Sequence, residues 1–150
     1  MVKIAPSILA ANQLDLKNEV ISVDQAGVEY IHIDIMDGHY VPNLTFGPNT
    51  VKEIRSITNK ILDVHLMISP VYNFVEAFIN AGANIISFHP EADHDSKKVL
   101  NLIKKLKCKS GIAIHPNIQI TDVIKYLHLV DMVNVMTVVP GFSGQHFMEE

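Results

Sequence analysis

Two segments of the sequence place a histidine and an aspartate two residues apart within an apolar run. The first is segment 32–34 (His-Ile-Asp) and the second is segment 63–65 (Asp-Val-His). Side chains at positions i and i+2 of a β-strand lie on the same face, so each segment presents an imidazole and a carboxylate to one side of a strand. His32 and Asp34 of the first segment together with His65 of the second supply two imidazoles and one carboxylate, a set that suits Zn²⁺, Fe²⁺, Mn²⁺ or Co²⁺ and leaves coordination positions open for a substrate. The predicted metal ligands are His32, Asp34 and His65.

A buried histidine–carboxylate hydrogen bond without a metal is the competing interpretation, and for a single pair it is the simpler one. The second strand repeats a histidine with a methionine near its tip, His65 and Met67, which shifts the balance towards a metal site, although the polar network remains a serious competitor. Methionines in strands commonly fill gaps in a core. Beside a polar centre we expect them instead to form an apolar cap, here made of Met36, Met67 and Met136.

Apolar runs rich in valine and isoleucine alternate along the chain with segments of helical periodicity. The predicted strands are residues 2–9, 28–36, 61–67, 84–89, 110–115 and 132–138. The predicted helices lie between them, from a cap at Asn12 or Asp15 to Gly27, over about 50–57, from Pro70 to Gly82, over 96–106 and over 121–127. Strict alternation of strand and helix predicts an α/β fold with a parallel sheet covered by helices.

This alternation fits either a doubly wound sheet or a TIM (β/α)8 barrel. The barrel is favoured because no Gly-x-Gly-x-x-Gly motif follows the first strand, and because polar residues collect at the carboxyl ends of several strands. A closed barrel needs eight strands and typically ~250 residues. About six βα units are predicted here, so we expect residues 1–150 to be a single TIM-barrel domain that lacks its carboxyl-terminal part.

Composition excludes several classes of partner. The chain has 150 residues, is 48% hydrophobic and carries a net charge of −4 with no basic cluster, so no nucleic acid is expected to bind. No amino-terminal targeting segment and no stretch that could enter a membrane are found. The single cysteine, Cys108, makes no internal disulfide, so a reducing cytoplasmic location is expected.

Several motifs resemble the ribulose-phosphate 3-epimerase family in order and spacing. They are Ala5-Pro6-Ser7-Ile8-Leu9, His32-Ile33-Asp34-Ile35-Met36-Asp37-Gly38, Tyr40-Val41-Pro42-Asn43, His65-Leu66-Met67, Phe88-His89, Val135-Met136-Thr137-Val138 and Pro140-Gly141-Phe142-Ser143-Gly144-Gln145. The resemblance covers the whole chain. It implies a metal-dependent isomerase with a TIM-barrel fold, which interconverts D-ribulose 5-phosphate and D-xylulose 5-phosphate through a cis-enediolate in the pentose phosphate pathway. It also implies a sugar-phosphate substrate and, for the full-length protein, a homo-oligomer.

The family's functional residues can be placed on this sequence one by one. The metal ligands fall on His32, Asp34 and His65, and Asp34 is also the implied catalytic base. The fourth ligand of the family, an aspartate that is the opposing acid, has no counterpart in this chain. The implied substrate-binding residues are Ser7, His65, Met36, Met67, Met136, Gly141, Phe142, Ser143 and Gly144.

Two positions depart from the family pattern. Ser143 stands where a glycine is usual, and it would restrict the loop if that position needs a positive φ. Val139 stands where an acidic or polar residue is usual. We expect Asp37 and His89 to support the site, and the remaining histidines to lie in loops or at the surface.

Three alternative functions remain open. The nearest is a 3-epimerase of a six-carbon ketose phosphate, such as allulose 6-phosphate. A decarboxylase of the same barrel superfamily is less favoured because its usual lysine–aspartate array is absent from the resemblance. A non-catalytic fragment that binds a metal or a phosphate belongs to a different class. We expect no epimerase turnover from this chain, because the second acid/base residue is missing.

Overall fold

Five parallel strands form one sheet in the computed structural model, which describes residues 2–149. The strands are β1 (Tyr30–Met36), β2 (Ile61–Met67), β3 (Ile85–Phe88), β4 (Lys109–Ile114) and β5 (Met132–Val135). Their order in the sheet is their order in the chain. A doubly wound sheet reverses its strand order at a switch point, whereas a barrel wall does not. The sheet therefore has the topology of a barrel wall and excludes the doubly wound alternative.

Helices connect the strands at the predicted places. They are α1 (Leu16–Gln25), α2 (Pro48–Ile57), α3 (Val75–Asn80), α4 (Ser96–Lys105) and α5 (Ile120–Val123). Short 3-10 turns accompany them at Ile8–Ala10, Gln13–Asp15, Pro90–Ala92 and Ile124–Leu129. The helix predicted to start at Pro70 begins later, at Val75, after a turn.

The predicted first strand, residues 2–9, is wrong for the described part of the chain. This segment makes one parallel bridge, between Ser7 and His32, and the backbone N–H of His32 donates to the carbonyl of Pro6 at 2.9 Å. Pro6 has no N–H with which to extend a ladder. The Ser7 hydroxyl then accepts from the backbone N–H of Leu9 and starts the turn Ile8–Ala10. Five strands are therefore present instead of six, but Ser7 still lies beside β1.

Alternation along the strands separates the two faces of the sheet. Ile31, Ile33 and Ile35 of β1 are buried in the hydrophobic core beneath the helices. Helix α4 is amphipathic: its apolar side packs into this core while its lysines face solvent. The other face of β1 and β2 carries the polar residues. The fold thus directs all three predicted metal ligands towards the concave side.

Candidate metal centre and active site

The three predicted metal ligands converge because β1 and β2 run parallel in a fixed register. Asp34 pairs with His65 in that register, and His32 lies two residues earlier on the same face of β1. His32 Nε2 lies 3.3 Å from Asp34 Oδ1, and His65 Nδ1 lies 3.3 Å from the same oxygen. Single ligand atoms from the three side chains all lie within 4.8 Å of one another. Sequence alternation alone therefore identified a real cluster.

The cluster has the dimensions and the chemistry of a transition-metal site. Metal–nitrogen bonds of about 2.0–2.1 Å in tetrahedral geometry place neighbouring donor atoms about 3.3 Å apart. The two separations at Asp34 Oδ1 match that value. Two imidazoles with one carboxylate suit Zn²⁺, Fe²⁺, Mn²⁺ or Co²⁺ better than Ca²⁺ or Mg²⁺, which prefer oxygen donors. The residues present therefore fit a divalent transition metal.

Two further side chains orient the ligands. His32 Nδ1 lies 2.8 Å from Asp63 Oδ2, which leaves Nε2 as the nitrogen that faces Asp34. Histidine ligands commonly donate their second N–H to a carboxylate in this way. The Ser7 hydroxyl donates to Asp34 Oδ2 at 2.5 Å. A supporting role for Asp63 was not predicted, although alternation had placed it on the same face as His65, because the register that sets it opposite His32 is not visible in the sequence.

The three clustered side chains differ in protonation state at neutral pH. Burial lowers the pKa of His32, but hydrogen bonds and charge attraction from Asp34 and Asp63 outweigh burial and raise it to about 10. Burial raises the pKa of Asp34, but hydrogen bonds from the two histidines hold it well below its usual range. Burial lowers the pKa of His65 against the opposing hydrogen bond from Asp34. At neutral pH His32 is thus protonated, Asp34 ionised and His65 neutral.

Metal binding should therefore depend on pH. A proton on His32 Nε2 competes with the metal, and its pKa of about 10 means that this proton must leave at every pH below that value. Because His65 and Asp34 are already deprotonated, we expect the apparent affinity to rise about tenfold per pH unit between pH 7 and 9, with about one proton released per metal. Chelator competition and calorimetry in buffers of different ionisation enthalpy measure both quantities. A flat affinity profile would contradict the assigned protonation of His32.

A cavity of about 270 Å³ opens above the cluster at the carboxyl ends of the strands. Its polar floor consists of Ser7 and the three clustered side chains, and its walls are mostly apolar but include Asn134 and Thr137. Met36 and Met67 are buried together with Val41, and Met136 comes from the segment that follows β5. The predicted residues that line this cavity are Ser7, His32, Asp34, His65, Met36, Met67, Met136, Gly141, Phe142 and Ser143. Gly144 does not line it.

The loop after β5 reaches the cavity edge without strain at its serine. Gly141 and Gly144 adopt positive φ values of 130° and 74°. Among the described residues other than glycine, only Lys107 has a positive φ, so Ser143 occupies an ordinary backbone conformation. The restriction anticipated at Ser143 is therefore absent. The side-chain amide of Asn43 donates to the carbonyl of Gly141 at 2.8 Å and ties this loop to the loop that follows β1.

Comparison with known proteins supports the same assignment. The sequence profile of the ribulose-phosphate 3 epimerase family matches residues 3–150. The chain belongs to the ribulose-phosphate 3-epimerase family. Ribulose-phosphate 3-epimerases of Rhodobacter capsulatus and Bacillus subtilis (strain 168) are each 43% identical to it over 148 residues. These matches cover 99% of this chain but 65% and 68% of the two relatives, so the chain spans about two thirds of their length.

Solved structures share the fold at low sequence identity. A dihydropteroate synthase of Yersinia pestis, crystallised with a pterine-sulfa conjugate, gives a TM-score of 0.60 at 12% identity. The match covers 85% of this chain and 51% of that chain. Such a likeness concerns the architecture alone. With the sequential parallel sheet and the epimerase-family membership, it confirms the predicted fold class, the α/β architecture of part of a TIM barrel.

The remaining predicted residues of the family pattern lie around the cluster. Asp37 accepts hydrogen bonds from the backbone N–H groups of His39 and Ser69, so it holds two loops together. His89 is fully buried, with its ring stacked on that of Tyr40 and tilted against that of His65. His115, predicted as a loop or surface residue, is half-buried and lines a second cavity with Glu91 and Tyr40.

Among residues 2–149, no helix has both the length and the apolar character that a bilayer crossing requires.

Proposed function

We propose that this chain binds a divalent transition metal through His32, Asp34 and His65, and that it transfers a proton at carbon 3 of D-ribulose 5-phosphate or D-xylulose 5-phosphate. The observation that supports this proposal most is the convergence of these three side chains beneath a cavity whose walls are mostly apolar. The relatives named ribulose-phosphate 3-epimerase support the choice of substrate.

Asp34 is the proposed base. Its low pKa keeps the carboxylate ionised, so it can take the proton from carbon 3. The electron pair of the broken C–H bond then forms the C2–C3 double bond of a cis-enediolate, and negative charge collects on the oxygen at carbon 2. A divalent metal, when bound, supplies Lewis-acid stabilisation of that charge. The Ser7 hydroxyl, which donates to Asp34 Oδ2, fixes the orientation of the carboxylate.

The methionines and the glycine loop have supporting roles in this proposal. Met36, Met67 and Met136 would keep water away from the planar intermediate, so that it is not reprotonated at random. The backbone of Gly141, Phe142 and Ser143 would contact the phosphate end of the substrate, with Gly144 shaping the turn behind them.

Inversion requires a second acid/base group on the opposite side of the substrate. Among the described residues that line the cavity, Asp34 is the only carboxylate. We therefore propose that the 150-residue chain exchanges the carbon 3 hydrogen of one epimer with solvent and produces little of the other epimer.

Deuterium incorporation tests this function directly. The Co²⁺-loaded or Zn²⁺-loaded chain is incubated in heavy water with D-ribulose 5-phosphate, with D-xylulose 5-phosphate and with D-allulose 6-phosphate in separate reactions. NMR should show deuterium at carbon 3 of one pentulose phosphate without its epimer. Exchange of the hexulose phosphate alone would reassign the substrate. Exchange with none of the three would refute proton transfer and leave the alternative of a non-catalytic binding fragment.

We also propose a cytoplasmic location and a homo-oligomeric state for the full-length protein. The half-buried free thiol of Cys108 is compatible with a reducing compartment. Within residues 2–149, β5 pairs only with β4 and exposes Val133 and Val135. The remaining part of a barrel would cover this edge, so the proposed homo-oligomer rests on the family resemblance.

A further inference from the structure

Strand β3 contributes two buried polar side chains beside His65, and neither belongs to the ligand set. Ser87 pairs with His65 in the parallel register of β2 and β3, and it is 0% exposed. His89 follows two residues later on the same face and is also 0% exposed, with its ring centroid 5.0 Å from that of His65. His65 thus has the carboxylate of Asp34 on one side and β3 on the other.

Four atoms of these three side chains are buried and lack a hydrogen-bond partner in the described part of the chain. They are His65 Nε2, Ser87 Oγ and both ring nitrogens of His89. A buried polar group without a partner is destabilising, so such groups are rarely left alone. On the β4 side, a Cβ added at Gly111 would lie 3.0 Å from Ser87 Cβ and 3.2 Å from the Met132 methyl. The Met132 carbonyl oxygen lies 3.5 Å from the same position, whereas on the β2 side the residue opposite Ser87 is His65.

The state of His65 Nε2 determines whether Nδ1 can bind a metal. A neutral imidazole carries one N–H, on either nitrogen. Without a metal, Asp34 Oδ1 at 3.3 Å from Nδ1 attracts that hydrogen to Nδ1, where it blocks coordination. An acceptor at Nε2 favours the other tautomer, in which the Nδ1 lone pair is free. The two neighbours of His65 therefore compete for one hydrogen.

We propose that Ser87 is a positioning residue for the metal site, whose hydroxyl accepts the Nε2–H of His65 through one bridging water. This interaction holds His65 in the tautomer that presents Nδ1 to the metal. His89 supports the arrangement, since its ring lies tilted at 38° against that of His65. The inference rests on the proposed metal function of His32, Asp34 and His65, and it adds a specific role for β3.

The test compares Ser87→Ala and Ser87→Thr with a matched control, Ser110→Ala. Ser110 is another buried serine, but its hydroxyl donates to the carbonyl of Leu129, away from His65. The first measurement is the His65 tautomer in the metal-free chain, from the two imidazole ¹⁵N shifts. The second is the Zn²⁺ dissociation constant, from chelator competition, together with the visible spectrum of the Co²⁺ form.

We expect Ser87→Ala to shift His65 towards the Nδ1–H tautomer and to weaken Zn²⁺ binding by about 10–100-fold, the usual effect of losing an outer hydrogen-bond partner. Ser87→Thr, which keeps the hydroxyl, should retain the wild-type tautomer, and Ser110→Ala should change neither quantity. An unchanged tautomer in a folded Ser87→Ala chain would overturn the proposal. If the wild-type chain binds no metal, the proposed function fails, while the tautomer measurement still decides the role of Ser87.

Discussion

Asp34→Asn should reduce deuterium exchange at carbon 3 by about 10²–10⁴-fold, the range that general acid–base groups contribute. Asparagine keeps the shape of the side chain and can still accept a hydrogen bond from the Ser7 hydroxyl. Its amide cannot take a proton from carbon at neutral pH. The variant also replaces the anion between His32 and His65 with a neutral group, so the pKa of His32 should fall as well.

The experiment must separate loss of the base from loss of the metal. Exchange rates are therefore measured at increasing Zn²⁺ or Co²⁺ concentration, with the bound metal determined by elemental analysis in the same samples. The matched control is Asp37→Asn, because Asp37 is a nearby carboxylate that bonds to loop backbone at His39 and Ser69. A metal-loaded Asp34→Asn chain that exchanges hydrogen at the wild-type rate would remove Asp34 from the reaction.

The parts of the site that were predictable are those set by local periodicity. Alternation along 30–36 and 61–67 gives the face of every residue once the strands are recognised, and β2 has the predicted bounds, Ile61–Met67. Parallel strands present their carboxyl ends on one edge, so His32, Asp34 and His65 had to lie near each other. Predicting that these three side chains lie close together required no knowledge of long-range contacts beyond strand order.

Strand register, backbone angles and histidine tautomers could not be predicted from the sequence, because each depends on tertiary contacts. The bond between Asp63 and His32 depends on which residues of β1 and β2 stand opposite each other, which is a tertiary property. The ordinary φ of Ser143 depends on which neighbouring glycines absorb the turn, here Gly141 and Gly144. The predicted first strand does not form in the described residues, because Pro6 has no N–H to donate to a strand ladder and the apolar run alone does not reveal this.

The metal site and the sheet edge are connected through the loops at the carboxyl ends of the strands. Asn43 ties the loop after β1 to Gly141, and the hydroxyl of Tyr40 donates to Glu91 at 2.8 Å. The ring of Tyr40 also stacks on His89, which packs against His65. The walls of the cavity are therefore supported by contacts between segments far apart in sequence, while its floor is built from Ser7 and two adjacent strands.

Removing the imidazole of His32 should have the largest effect on metal content. We expect His32→Ala to lose more than about 100-fold in Zn²⁺ affinity, because even outer partners of ligands typically contribute 10–100-fold and His32 is a ligand itself. The substitution also leaves the carboxylate of Asp63, only 5% exposed, without its partner at 2.8 Å. An unpaired buried charge is strongly destabilising, so folding must be measured along with metal.

His32→Gln addresses that complication, since its amide can still donate to Asp63 while it is a poor ligand for a transition metal. The control is His128→Ala, which removes an exposed imidazole from the 3-10 turn Ile124–Leu129. Elemental analysis of protein purified without added metal should give similar metal in the wild type and in His128→Ala, and little in either His32 variant. Equal metal in a folded His32→Gln chain and the wild type would show that the three converging side chains form a buried polar network rather than a metal centre.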